Sequence, residues 1–255
     1  MEQHWPDMLW IVRHGESAGN VARDAAYAAG VATIDITERD VDVPLSAAGE
    51  RQSTALGHWF GRLSLGARPN VVMTSPYLRA RHTAALIESA NGTDSAAKLI
   101  VDERLREKEF GILDRLTKLG VEQRFPEQAA MRTQLGKFYH RPPGGESWCD
   151  VILRLRSVMD TISLHHHGPG TRVLIVAHQV IVLCLRYLIE ELDETQILAI
   201  DREAEVANCG VTAYSYNPAL GDGGALQLRA YNVIVPLLDE GAPVTSSPDA
   251  PVAVK

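Results

Sequence analysis

The stretch Leu9-Trp10-Ile11-Val12-Arg13-His14-Gly15 decides how this 255-residue chain reads. Residues 9–12 are apolar, β-branched or aromatic, and show no polar alternation, which predicts a strand buried on both faces. Gly15 ends the run, and Ser17, Ala18 and Gly19 follow. An arginine and a histidine thus stand at the carboxyl end of a buried strand, where open α/β sheets hold their ligands. A fixed cation beside an imidazole suits an anionic ester, above all a phosphate. A lone histidine after a strand is more often a loop residue with a backbone partner, so the rest of the chain has to carry the functional reading.

Composition sets bounds on that reading. The chain is 45% hydrophobic and 22% charged, ordinary for a globular protein with a sizeable core. A net charge of −7 argues against a nucleic-acid partner, but a few clustered arginines can still make a local positive site. Cys149, Cys184 and Cys209 form neither a disulfide framework nor a C-x-x-C metal pattern, and they read as small hydrophobes of a reduced, cytoplasmic protein. The first residues lack a signal-peptide pattern, and no apolar stretch is long enough to span a membrane.

Outward from the opening strand, residues 21–43 read as a short helix and then an acidic surface excursion with Asp35, Glu38, Asp40 and Asp42. Ser46 is placed to cap a helix whose apolar positions are Leu56, Phe60 and Leu63. A buried strand follows at 70–74, with Pro76 expected in the first turn of a helix over 77–90 that carries Arg79 and Arg81. A third strand is expected at 98–101. A basic, weakly helical excursion then reaches the Pro-Pro-Gly-Gly at 142–145. Ser147 and Asp150 make a capping box for the next helix. The triple histidine at 165–167 ends that helix, where consecutive side chains diverge and a metal site is not expected. Residues 171–177 are the clearest buried strand, followed by His178-Gln179 and an apolar helix over 180–192. Strands at 211–216 and 226–232 read as an antiparallel pair. The expected fold is a three-layer α/β/α sandwich: a mostly parallel central sheet with an antiparallel edge and a helical lid insertion at about 112–146. One domain is expected over 1–238, with a Pro/Ala/Ser-rich disordered tail at 239–255.

Arg13-His14, Arg79, Glu107 and His178 all follow strands or short loops, and parallel strands bring such groups to one sheet edge. There His14 would attack phosphorus, while Arg13, Arg79 and His178 held the oxygens. A carboxyl group, Glu107 with Glu109 as its local rival, would protonate the leaving alkoxide and then activate water. The chain resembles the histidine phosphatase superfamily, of phosphoglycerate-mutase-like fold. The resemblance rests on Arg13-His14-Gly15-Glu16 with Asn20, on Thr74-Ser75-Pro76 through Arg79-Ala80 and Thr83, on Glu107 four residues before Gly111, and on Ala177-His178. It implies a phosphate pocket of Arg13, His14, Arg79 and His178 assisted by Asn20 and Ser17, a small phosphate ester as substrate, and no metal or other cofactor.

Within the superfamily, Phe125-Pro126-Glu127 through Gly145-Glu146-Ser147 and His178-Gln179 resemble the fructose-2,6-bisphosphatase branch. That likeness implies Arg132, Lys137 and Gln179 as substrate-binding residues. Leu183 stands where that branch keeps an arginine, and Lys118 where it keeps a tyrosine, which argues against the sugar bisphosphate itself. The paired lid arginines of the mutases are not recognisable, which favours hydrolysis over mutase-type phosphotransfer.

Two rivals come from other classes. Gly15-Glu16-Ser17-Ala18-Gly19 fits the G-x-S-x-G elbow of a serine hydrolase, with Asp150 or Asp160 and His178 in the right order. The fold could also serve as a non-catalytic phosphate-binding module. A zinc deaminase is excluded, because no P-C-x-x-C follows His14-Gly15-Glu16. Sequence leaves a homodimer open.

Overall fold

Strand β1, Pro6–Arg13, sits inside a six-stranded sheet, and its side chains part to opposite faces. Leu9 and Ile11 join one apolar cluster and Trp10 and Val12 the other, all of them buried. This period of two, with both faces covered, explains the unbroken apolar run. The computed structural model describes residues 3–91, 97–221 and 223–246.

Along the chain follow α1 (Ala18–Ala28), α2 (Ala47–Gly61), β2 (Val71–Thr74), α3 (Leu78–Ala90) and β3 (Lys98–Val101). Next come α4 (Lys118–Arg124), α5 (Pro126–Tyr139), α6 (Trp148–His165), β4 (Gly168–Ala177) and α7 (Gln179–Ile189). The last elements are α8 (Glu194–Glu203), β5 (Val211–Asn217), β6 (Ala225–Val233) and α9 (Val235–Asp239). The strand order is β3-β2-β4-β1-β5-β6. The first four of these are mutually parallel, and β5 and β6 run antiparallel at the edge. One face packs on α6, α7 and Ile197 of α8, and the other on α2, α3 and Leu237 of α9. The α/β/α sandwich with a mostly parallel sheet and an antiparallel edge is therefore the fold.

The capping signals work as their chemistry requires. Ser46 accepts from the Gly49 N–H at the start of α2, and Ser147 and Asp150 cap α6 reciprocally. Other expectations need correction. Pro76 lies ahead of α3, whose N-cap is Tyr77, because the Ser75 hydroxyl accepts the Tyr77 N–H and holds that residue extended. Helix α8 was not expected, although Asp193 and Gln196 spell a capping box for it. The tail expected from 239 is tied down in its described part. Gln52 Nε2 donates to Pro243 O and Thr245 Oγ1, and the Asn208 N–H donates to Thr245 O at 2.9 Å. Residues 247–255 lie outside the described residues. The excursion between β3 and α6 is helical as expected, with α5 bent at Gly136 (φ 77°).

Two glycines set the site's floor. A Cβ on Gly49 would fall 2.0 Å from Glu16 O, and one on Gly15 would fall 2.5 Å from Gly49 O. The start of α2 therefore crosses the β1–α1 loop at backbone contact, which only glycine permits.

Candidate active site

Three parallel strands end level. Arg13 pairs with Ala177, and Thr74 with Val176, so the residues that follow β1, β2 and β4 emerge together. The His14 N–H donates to Ala177 O (2.9 Å) and the Ser75 N–H to Val176 O (3.1 Å), extending the ladder one step beyond the strands. His14, Ser75 and His178 consequently share one edge.

His14 is fully buried. Its Nδ1 lies 2.6 Å from Gly15 O, and a carbonyl only accepts, so Nδ1 carries the proton. Nε2 is left with its lone pair and accepts from Arg79 Nε at 3.2 Å. The His14 carbonyl accepts from Asn208 Nδ2 at 3.0 Å, and the Thr245 hydroxyl in turn donates to Asn208 Oδ1. The ring is thus held by backbone on one side and a guanidinium on the other.

His178 faces His14 with 5.1 Å between ring centroids, and its Nε2 lies 2.8 Å from Ser75 Oγ. Arg79, 2% exposed, emerges from the first turn of α3. Its Nη1 pairs with Asp40, and its guanidinium lies 4.9 Å from the Tyr77 ring centre. Arg13 is fully buried and donates from Nη1 to Val206 O at 2.6 Å. Glu107, 1% exposed, accepts from the Lys108 N–H at 2.7 Å. Arg154 braces this loop: Nε donates to Glu146, and Nη2 to Glu107 O. Glu109, the rival carboxylate, accepts from the Tyr77 hydroxyl at 3.0 Å.

Ser17 and Asn20 line the adjoining cleft, and both are also structural. The Ser17 hydroxyl donates to Asn20 Oδ1 and accepts the Asn20 N–H, capping α1. The serine-hydrolase reading fails on this geometry. Ser17 is a buried helix cap, Asp150 caps α6, and Asp160 is solvent-exposed on the same helix.

Arg132 and Lys137 stand on α5 in the lid, and Gln179 opens α7 directly after His178. Lys137 pairs with Asp201 at 2.5 Å and lies 5.3 Å from the Trp148 ring centre. Gln179 Nε2 donates to Glu205, while its buried Oε1 has no hydrogen-bond partner among the described residues. Arg132 lies close enough to Lys108 and His140 for its charge to lower both their pKa values.

Sequence reasoning missed Lys108, which is buried beside Glu107. Its Nζ lies 4.4 Å from the Phe110 ring centre and makes no ion pair among the described residues. Burial, followed by the charge of Arg132, lowers its pKa from 10.5 to about 8. Below pH 8 folded and unfolded chains both hold this proton, and the folded state bears the full cost of a buried cation. Between pH 8 and 10.5 the unfolded chain binds more protons, so this group makes stability rise with pH. Lys108→Met is therefore expected to stabilise the protein by about 2 kcal/mol at pH 7. It should also flatten the rise between pH 8 and 10 in chemical-denaturation curves. A wild type with no such rise would contradict this account of Lys108.

Comparison with known proteins gives the family. The family model described as histidine phosphatase superfamily (branch 1) matches residues 9–227. The chain belongs to the histidine phosphatase superfamily. It is 29% identical over 177 residues to the "Probable fructose-2,6-bisphosphatase" of Schizosaccharomyces pombe, covering 69% of this chain and 36% of that protein. It thus spans about a third of that relative. A "Probable phosphoglycerate mutase" of Cronobacter sakazakii is 28% identical over 239 residues, covering 91% of this chain and 97% of the mutase. The fold also matches a mycobacterial glucosyl-3-phosphoglycerate phosphatase solved with VO3, at TM-score 0.66, 24% identity, and 89% and 98% coverage of this chain and that one.

Proposed function

We propose that this histidine phosphatase hydrolyses a small phosphomonoester, sugar-phosphate-like in size, through a phosphohistidine and without a metal. The observation that carries the reading is His14. Its Nε2 is held unprotonated by the Nδ1 bond to Gly15 O, and it lies beside the Arg79 guanidinium. In the first step Nε2 bonds to phosphorus and the P–O bond to the alcohol breaks. Glu107 gives its proton to the leaving oxygen. Arg13, Arg79 and His178 balance the charge spreading over the equatorial oxygens. In the second step carboxylate Glu107 takes a proton from water, the water oxygen bonds to phosphorus, and the P–N bond breaks to release inorganic phosphate.

Asn20, Ser17, Gln179, Arg132 and Lys137 remain substrate-binding assignments under this proposal, and the three free cysteines suit a cytoplasmic setting. Mutase-type transfer is the second reading, favoured by the likeness that covers nearly the whole of the C. sakazakii protein. The products formed with a second hydroxyl acceptor present would separate the two.

Glu107→Gln tests the proton relay. With an alkyl phosphate, whose alkoxide needs a proton to leave, kcat is expected to fall about 10³-fold. With p-nitrophenyl phosphate the first step needs no acid. A burst of nitrophenol equal to the enzyme concentration should then precede slow turnover, because water is no longer activated. Equal losses on both esters with no burst would take the role from Glu107 and turn attention to Glu109.

A further inference from the structure

The acidic excursion that sequence leaves unexplained meets the phosphate pocket at Asp40. Its Oδ1 lies 2.9 Å from Arg79 Nη1, which also donates to the Asp40 carbonyl at 2.6 Å. The segment before it is zipped onto the start of the lid. The Ile34 N–H donates to Arg115 O (2.9 Å), the Thr117 N–H to Ala32 O (3.1 Å), and Arg115 Nη2 to Glu38 O (2.8 Å). Together they wall an open cleft beside Arg79, lined among others by Asn20, Arg23, Ile34, Ile36, Asp40 and Asp114.

Because Arg79 borders both spaces, whatever is esterified to a phosphate on Arg79 has this cleft as its neighbour. Three carboxylate residues, Glu38, Asp40 and Asp114, line the cleft, and Asp40 and Asp114 lie near each other. Burial, then the charge of Asp40, raises the Asp114 pKa, which places the two acids within electrostatic reach of each other. The other guanidiniums of the cleft are engaged: Arg115 beside Asp114 and Glu38 O, and Arg23 over the Tyr27 ring at 4.5 Å. Ionised carboxylates only accept hydrogen bonds. A hydroxyl or ammonium gains partners here, while a second anion meets like charge, a cost that enforces specificity.

Resting on the phosphatase reading, we propose that this cleft receives the alcohol half of the substrate and that Asp40 selects it. The alcohol carries hydroxyl or ammonium donors beside the ester and no anionic group on that side. In the free enzyme the same carboxylate occupies Arg79 and weakens the hold on inorganic phosphate.

Two measurements on the full chain test this. The first compares kcat/KM for glucose 6-phosphate and phosphoethanolamine with that for 2-phosphoglycolate and 3-phosphoglycerate. Wild type is expected to favour the first pair. Asp40→Asn, which removes the charge and keeps an acceptor for Arg79, should shrink the preference about tenfold. Asp114→Asn should move it less, in the same direction. The second is calorimetric titration of inorganic phosphate, which Asp40→Asn should bind about tenfold more tightly. An unchanged preference with unchanged phosphate affinity would overturn the proposal, as would a wild type that favours the carboxylate-bearing esters. Failure of wild type to turn over any ester would instead count against the phosphatase reading, and the phosphate titration would still decide the role of Asp40.

Discussion

His14→Ala is expected to reduce turnover of any phosphomonoester about 10⁵-fold while the protein stays folded. The size follows from what the ring supplies. Removing Nε2 removes the nucleophile, so no P–N bond can form, and water would have to attack directly with neither the geometry nor the base placed for it. The remaining groups still bind the ester, so binding of inorganic phosphate should survive far better than turnover. The ring is buried against His178, and its loss leaves a cavity and costs stability. A thermal melt beside the kinetics separates a folded, inactive enzyme from an unfolded one. Turnover within tenfold of wild type in a folded His14→Ala protein would remove His14 from the chemistry.

The second large effect is that of Arg79→Ala, expected to lower kcat about 10³-fold with a smaller change in KM. The guanidinium touches Nε2 of His14 and so lies where charge builds as the P–O bond breaks. Its removal does more than subtract a cation, because the Asp40 carboxylate is then left facing the phosphate without its partner. Arg79→Ala with Asp40→Asn should therefore recover part of the loss, a coupling that a double-mutant cycle reads directly. Arg79→Lys should rescue only partly, since an ammonium cannot reach His14, Asp40 and substrate in one planar fork. A kcat unchanged in Arg79→Ala would take that residue out of the site.

Legibility in the sequence followed the range of the interactions involved. Residues 9–12, 70–74 and 171–177 read as buried strands because both faces of their apolar runs are covered, and an unbroken apolar run is the local mark of that burial. Ser46 and Ser147 read as caps because a cap needs only its neighbours three residues on. Helix α8 carries the same local mark at Asp193 and Gln196, but its mostly exposed surface leaves no long apolar stripe to go with it. The shared edge of His14, Arg79 and His178 was inferred from strand polarity, a rule about topology rather than contact. Lys108 and Asp40 were beyond that rule. The meaning of Lys108 lies in burial beside Arg132, and that of Asp40 in a pairing with a side chain 39 residues away. Thr245, read as part of a tail, reaches the His14 carbonyl through Asn208, a link that no local pattern encodes.

The most direct test is to mix the enzyme with a generic phosphomonoester in EDTA, quench without acid within milliseconds, and weigh the peptide that contains His14. The account predicts a transient peptide heavier by one phosphoryl group, formed and lost at rates consistent with turnover and longer-lived in Glu107→Gln. Turnover with no phosphate on His14 at any time, or turnover abolished by EDTA, would contradict it.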